Sequence, residues 1–91
     1  MYALIRTSAF DRSLARFLRK HPSLGETVAR VLRDLEGDPF QPHLRLHSLA
    51  GHLRGRRAVS ISRSERIVIE LRVAEREIIL IDIGSHDEVY R

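Results

Sequence analysis

The chain is 91 residues long, has no cysteine, and carries a formal net charge of +4 with a sequence pI of about 10.6. This length predicts a single domain over residues 1–91, and the lack of thiols excludes disulfides and thiolate metal sites and is typical of a cytoplasmic protein. Apolar runs fall short of the roughly 20 residues of a membrane helix, and charge interrupts the first residues too early for a signal peptide. We therefore expect no membrane association.

Residues 2–37 predict a short strand followed by two helices. The strand covers residues 2–7, and Ser8 offers an N-cap for the first helix. His21-Pro22 ends that helix because the residue before proline avoids the helical region, and Ser23 with Glu26 forms a second capping box. Each helix has an apolar stripe at helical spacing: Phe10, Leu14, Phe17 and Leu18 in the first, and Leu24, Val28, Val31, Leu32 and Leu35 in the second. The short connection predicts an antiparallel helix hairpin.

The remaining chain predicts a small sheet. Residues 38–42 form a linker, and residues 43–55 form a loop with a short strand near residues 44–46. Apolar and polar residues alternate over residues 57–62, 66–73 and 75–83, which predicts three antiparallel strands with turns near residues 64–65 and 74–75. In this register Ile79, Ile81 and Ile83 face the helices. The predicted fold class is α+β, in the order β-α-α-β-β-β, with the helix hairpin packed on one face of a small antiparallel sheet.

Positive charge is concentrated in the middle of the chain. Residues 43–66 contain six arginines and a single acidic residue, Glu65, whereas acids outnumber bases from residue 67 onward. A basic segment on a small domain predicts an anionic partner, and nucleic acid is the first candidate. We expect RNA or ribosome contacts from Arg45, His52, Arg54, Arg56, Arg57 and Arg63. His47 and His52 could instead be solvated loop residues, and for His52 this is the preferred interpretation.

Four side chains could meet in a cleft on the open face of the sheet, namely His47, Arg66, His86 and Tyr90. An imidazole can act as a base or an acid near neutral pH, and a guanidinium matches phosphate oxygens. RNA carries its own nucleophile, the 2′-hydroxyl, so cleavage would need no metal and no cofactor. Structural roles are the alternatives: His86 could cap the strand end, Arg66 could pair with a surface acid, and Tyr90 could cover the helices.

Three stretches of the chain resemble the RelE/ParE toxin superfamily. They are the loop from His47 to Arg57, the strand segment 66–69, and residues 83–90 (Ile-Gly-Ser-His-Asp-Glu-Val-Tyr). Within the superfamily the chain is most similar to the YafQ-like mRNA interferases. The resemblance implies the toxin of a type II toxin–antitoxin system, an endoribonuclease that cuts ribosome-bound mRNA and inhibits translation. It also implies a cognate acidic antitoxin that covers the basic surface in a hetero-oligomer.

The resemblance assigns roles to the same four side chains. It makes His47 and His86 the acid/base pair, Arg66 the contact to the scissile phosphate, and Tyr90 the aromatic residue that positions a base. Where YafQ-like toxins have a further histidine, an aspartate and an arginine, this chain has Ser60, Ser64 and Asp82. Asp82 could orient His86.

These departures leave two alternatives open. One is a ParE-like DNA gyrase inhibitor, which has the same fold and needs no acid/base pair. The other is a degenerate toxin-like protein that binds a partner without catalysis.

Overall fold

A computed structural model describes residues 1–90 as two helices packed on a five-stranded mixed sheet, so the predicted α+β class is confirmed. The sheet has the strand order β1-β5-β4-β3-β2. The strands are β1 (Ala3–Arg6), β2 (His47–Ser48), β3 (Arg57–Ser60), β4 (Glu65–Arg72) and β5 (Glu77–Ser85). The helices are α1 (Ser8–Lys20), α2 (Gly25–Gly37) and a short α3 (His86–Val89). Among residues 1–90 no helix is long and apolar enough to cross a membrane.

The prediction of a wholly antiparallel sheet was wrong. The first strand runs parallel to β5, with Ala3 beside Glu77 and Arg6 beside Leu80, whereas the other three strand pairs are antiparallel. Both helices and three strands separate β1 from β5 along the chain, and hydrophobic alternation carries no information about strand direction. The predicted short strand at residues 44–46 was also misplaced, because β2 begins at His47 and a 3-10 turn occupies Pro42–Leu44.

Both helices bury the predicted stripes in one core that they share with the sheet. Phe10 and Phe17 of α1 and Val28, Val31 and Leu35 of α2 are buried there. The predicted caps were wrong. The Thr7 hydroxyl, not Ser8, accepts the Phe10 N–H at 3.0 Å, and it also donates to the Leu80 carbonyl at 2.8 Å. Thr7 therefore joins the start of α1 to β5, while α2 follows a 3-10 turn at Pro22–Leu24 and has no side-chain cap.

A bulge in β5 changes which isoleucines face the helices. Val68 of β4 lies beside Asp82, but the next residue, Ile69, lies beside Leu80, so Ile81 is an extra residue in β5. The core therefore receives Ile78, Leu80 and Ile83 instead of the predicted set of Ile79, Ile81 and Ile83. After the bulge, Ile83 faces the helices as predicted, so the end of β5 has the predicted orientation where residues 84–90 begin.

Candidate functional site

The short helix α3 begins with one predicted site residue, His86, is followed directly by another, Tyr90, and is held at both of its flanks. The Ser85 hydroxyl accepts the Glu88 N–H at 3.2 Å, and the Glu88 carboxylate accepts the Ser85 N–H at 2.9 Å, which completes a capping box. Glu88 also accepts from the Lys20 ammonium of α1 at 3.0 Å. The backbone N–H of Ser85 and the Lys20 ammonium stabilise the carboxylate, so the pKa of Glu88 falls from 4.5 to about 2.

Gly84 lets α3 lie directly against the end of β5. A Cβ atom at this position would be 3.0 Å from Glu88 Oε1 and 3.3 Å from Val89 Cγ1. The His86 N–H donates to the Ser64 carbonyl at 2.7 Å, which joins the start of α3 to the turn between β3 and β4. The backbone that carries His86 and Tyr90 is therefore fixed by contacts to β5, to α1 and to this turn.

His47, His86 and Tyr90 form one cluster. His47 Nε2 lies 3.2 Å from the Tyr90 hydroxyl, and His47 Nδ1 lies 2.8 Å from the Arg45 carbonyl. The His86 and Tyr90 rings meet edge to face, with their centroids 4.2 Å apart. A residue from edge strand β2, the first residue of α3 and the residue that follows α3 are thus brought together across 43 positions of the chain, as the sequence predicted for these three residues.

The hydrogen bonds of His47 determine its neutral tautomer. A carbonyl oxygen only accepts, so Nδ1 carries the proton that is donated to Arg45. In the neutral ring Nε2 then accepts from the Tyr90 hydroxyl, and in the protonated ring it donates to the phenol oxygen instead. Tyr90 therefore contacts both imidazoles, His47 through its hydroxyl and His86 through its ring, and the His86 side chain is 58% exposed to solvent.

Arg66 lies in a neighbouring recess, which we call the arginine cleft. This cleft has a volume of about 460 Å³ and is lined by His43, Arg45, Ser60, Ile61, Ser62, Arg63 and Arg66. Arg66 Nη1 donates to the carbonyls of Ser62, Arg63 and Glu65 at 3.0, 3.2 and 3.0 Å. These bonds hold the guanidinium in place. Three arginines, Arg45, Arg63 and Arg66, therefore line a polar recess that suits a phosphate group.

The predicted single cleft with all four residues is not formed, because Arg66 lines the arginine cleft, His47 and Tyr90 line a separate recess, and His86 lines neither of the two. His47 and Tyr90 line a second recess of about 340 Å³, whose walls are otherwise largely apolar: Ser48, Leu49, Ala50, His52 and Leu53. The bond from His47 to the Arg45 carbonyl links this apolar recess to the arginine cleft. One recess is suited to a flat apolar ring and the other to a phosphate, which together match a nucleotide.

The structure does not bring Asp82 to His86 as its orienting carboxylate. Asp82 Oδ1 accepts the N–H of the adjacent Ile83 at 2.9 Å, beside the β5 bulge. His86 Nδ1 instead lies 3.6 Å from Oδ1 of Asp87, whose side chain is fully exposed. Sequence spacing could not predict this arrangement, because the Asp82 carboxylate is bonded to the backbone N–H of the next residue at a bulge that the alternation does not show.

Glu65, the single acid of the basic segment, is occupied within the turn between β3 and β4. Its carboxylate accepts from the hydroxyl of Ser62 and, at 2.9 Å, from that of Ser64. The Ser62 hydroxyl in particular lowers the pKa of Glu65 below its ordinary value, so the group is a carboxylate at neutral pH. Ser64 thus supports the turn, whereas Ser60 lines the arginine cleft.

The predicted basic contacts differ in how free they are. Arg45, Arg54 and Arg63 are exposed, and Arg57 is half-buried on β3. Arg56 Nη1 instead lies 2.5 Å from Glu70 Oε1, in an ion pair that Arg72 extends at 2.9 Å. His52 is exposed beside Tyr90 in the apolar recess. Among residues 1–90 no group of three or more histidine, aspartate or glutamate side chains is placed to hold a metal ion.

This geometry defines a small α+β domain with an imidazole–phenol cluster beside an arginine-lined cleft, and solved toxin structures share its fold. No protein-family model matches the sequence, and no curated protein is significantly similar to it in sequence.

Solved structures show the likeness. The fold is similar to that of YafQ from E. coli over 100% of both chains, with a TM-score of 0.82 and 11% identity. It is also similar to a metal-bound toxin from Helicobacter pylori, with a TM-score of 0.79 and 23% identity over 98% of this chain and 99% of that one. A YoeB/ParE toxin from Agrobacterium tumefaciens gives a TM-score of 0.74 and 18% identity over 92% and 98% of the two chains.

Proposed function

We propose that this protein is the toxin of a type II toxin–antitoxin system and acts as a ribosome-dependent mRNA endoribonuclease. The observation that carries the proposal is the contact of His47 and His86 with one phenol, Tyr90, beside a cleft lined by three arginines. A gyrase inhibitor or a purely binding protein would need no such acid/base cluster. The fold shared with YafQ supports the same assignment.

The proposed reaction uses the substrate's own nucleophile. The 2′-hydroxyl oxygen attacks the adjacent phosphorus and loses its proton to an imidazole. Arg66 stabilises the extra negative charge on the phosphoryl oxygens, and a protonated imidazole gives its proton to the departing 5′-oxygen. The products are a 2′,3′-cyclic phosphate and a 5′-hydroxyl. His86 is the principal acid/base residue and His47 is its partner. Tyr90 positions a nucleobase of the mRNA in the apolar recess.

The proposal includes partners. YafQ has been crystallised with its antitoxin DinJ, so we propose a cognate acidic antitoxin that binds the basic surface of this chain and blocks the site in a hetero-oligomer. Ribosomes and mRNA are the targets, which places the activity in the cytoplasm. The exposed residues Arg45, Arg54 and Arg63, together with Arg57 and His52, are proposed to contact ribosomal RNA or mRNA.

Induction of the protein in growing cells tests this function. Protein synthesis should stop within minutes, and mRNA should show new 5′-hydroxyl and 2′,3′-cyclic phosphate ends while DNA supercoiling stays normal. His86→Gln should lower cleavage by roughly 100- to 10,000-fold, the range that one acid/base group supplies, with little loss of stability because the ring is exposed. Gyrase–DNA cleavage complexes that form while mRNA stays intact would move the assignment to the gyrase-inhibitor alternative.

A further inference from the structure

We propose that His43, oriented by Asp34, is a further catalytic residue that accepts the 2′-hydroxyl proton inside the arginine cleft. This inference rests on the proposed ribonuclease function and deepens it. Sequence analysis gave neither residue a role, because His43 follows Pro42 in a polar linker and Asp34 lies on a helix far from the sheet strands in the chain. The fold places His43 in the lining of the cleft that holds Arg66 and places the Asp34 carboxylate 2.8 Å from the His43 ring.

The backbone presents the His43 ring at a fixed place. His43 is the middle residue of the 3-10 turn Pro42–Leu44, and the next residue, Leu44, is completely buried in the core. Arg45 then adopts a left-handed conformation with φ of 53°, which turns the chain sharply before β2. A rigid turn with a buried anchor limits the positions available to the imidazole, although its side chain remains 58% exposed.

Asp34 determines which ring nitrogen can act as a base. His43 Nε2 lies 2.8 Å from Asp34 Oδ2, and an ionised carboxylate only accepts, so Nε2 carries the donated proton. The neutral ring therefore keeps its lone pair on Nδ1. The Asp34 carbonyl also accepts from Gln41 Nε2 at 2.8 Å, which fixes the start of the turn against α2. A carboxylate that orients an imidazole in this way is a recurring arrangement of acid/base sites.

The position of Arg66 explains why a base is needed here. A phosphate bound by Arg66 lies in the arginine cleft, whereas His47 and Tyr90 line the neighbouring apolar recess. A general base must reach the proton that it removes, at a heavy-atom distance of about 3 Å. Among the described residues that line the arginine cleft, His43 is the one with an imidazole, the side chain most often used as a general base. Ser60, which stands where YafQ-like toxins have a histidine, cannot supply that function.

The step balances with two imidazoles. The 2′-oxygen forms a bond to phosphorus, and its proton moves to Nδ1 of His43. The bond from phosphorus to the 5′-oxygen breaks, the electron pair stays on that oxygen, and the protonated imidazole of His86 supplies its proton. The enzyme is left with a protonated His43 and a neutral His86, and water restores both. In this step His43 takes the place of His47 as the acid/base partner of His86, and His47 instead positions Tyr90 through their hydrogen bond.

Single-turnover cleavage of mRNA on saturating programmed ribosomes, measured across pH, tests the inference. His43→Gln should lower the saturated rate by about 100-fold or more and remove the rise in rate on the acidic side of the pH profile. Added imidazole should restore part of the rate to His43→Gly. Asp34→Asn should lower the rate by roughly 10-fold, which is less than His43→Gln, because this variant keeps the imidazole and loses only the group that orients it.

Asp38→Asn is the matched control, since Asp38 Oδ1 accepts the Phe40 N–H at 2.8 Å in the same linker and does not line the cleft. This variant should keep the wild-type rate and pH profile. If His43→Gln cleaves at the wild-type rate with the wild-type pH profile, the role of His43 is overturned while the ribonuclease function stands. If the wild-type protein cleaves no mRNA on ribosomes, both proposals are overturned together.

Discussion

The Arg66 side chain both binds the turn between β3 and β4 and lines the arginine cleft. One guanidinium nitrogen donates to three carbonyls of the turn between β3 and β4. The same side chain lines the arginine cleft. A guanidinium that needs no reorganisation when charge develops on a phosphate is suited to transition-state stabilisation.

We therefore expect Arg66 to affect rate more than binding. Arg66→Lys keeps the charge but loses the planar fork, so the single-turnover rate on saturating ribosomes should fall by at least about 10-fold; Arg66→Ala should cost roughly 100-fold or more. Arg72→Lys is the control, because Arg72 lies on the same strand but pairs with Glu70 and Glu77. If Arg66→Ala cleaves mRNA at the wild-type rate on saturating ribosomes, Arg66 does not contact the scissile phosphate.

At the scale of the element, α3 is too short to be stable by itself. A helix of four residues gains little from its own hydrogen bonds, so it depends on Gly84, on the Ser85–Glu88 capping box and on the Lys20 ion pair. This dependence matters for function because α3 positions both His86 and Tyr90. A local loss of α3 would dismantle the imidazole–phenol cluster without unfolding the sheet.

The capping carboxylate gives a prediction about pH. The pKa of Glu88 is about 2 in the folded protein and near 4.5 when unfolded, so its stabilisation is present above about pH 4.5 and is lost as pH falls towards 2. Glu88→Gln should lower the free energy of unfolding at pH 7 by about 1 kcal/mol and should weaken the acid dependence between pH 5 and 2. Its side chain is 40% exposed, so solvent screening keeps the effect below what the pKa alone indicates.

Urea unfolding of both proteins at pH 7 and at intervals down to pH 2 is the measurement. Asp87→Asn is the matched control in the same helix, because its carboxylate is fully exposed and takes no part in the capping box. That variant should unfold like the wild type at pH 7. Equal stability of Glu88→Gln and wild type across the whole pH range would contradict the assigned cap.

The helices and strands were easier to predict from the sequence than the contacts between them. The stripes of α1 and α2 and the alternation of β3 and β4 are local patterns, and they gave the right faces because burial depends on a repeat of 3.6 or 2 residues. The bulge at Ile81 and the parallel pairing of β1 depend on contacts between distant residues, which no local repeat encodes. The family resemblance indicated His47, His86 and Tyr90 as site residues, whereas no motif indicated the pairing of His43 with Asp34, which depends on the 3-10 turn that follows α2.

Across the whole molecule, the fold sorts the arginines into paired and exposed groups. Arg56 forms an ion pair with Glu70, while Arg54 and Arg63 are exposed. Charge in the basic segment is therefore not equally available to an anionic surface. An exposed arginine that contacts a phosphate releases a counterion on binding, so it contributes to the salt dependence of association, whereas a paired one contributes mainly to stability.

Ribosome association measured over a range of salt concentrations should separate these groups. Arg54→Gln and Arg63→Gln should each weaken binding and reduce the slope of log K against log salt by about 1, because each removes one phosphate contact. Arg56→Gln should leave the slope nearly unchanged and lower thermal stability instead, since Glu70 loses one of its two partners and keeps Arg72. The division into paired and exposed arginines would be contradicted if Arg56→Gln reduced the slope as much as Arg54→Gln. Arg56 would then leave its ion pair with Glu70 to contact the ribosome, and the whole basic segment would act as one contact surface.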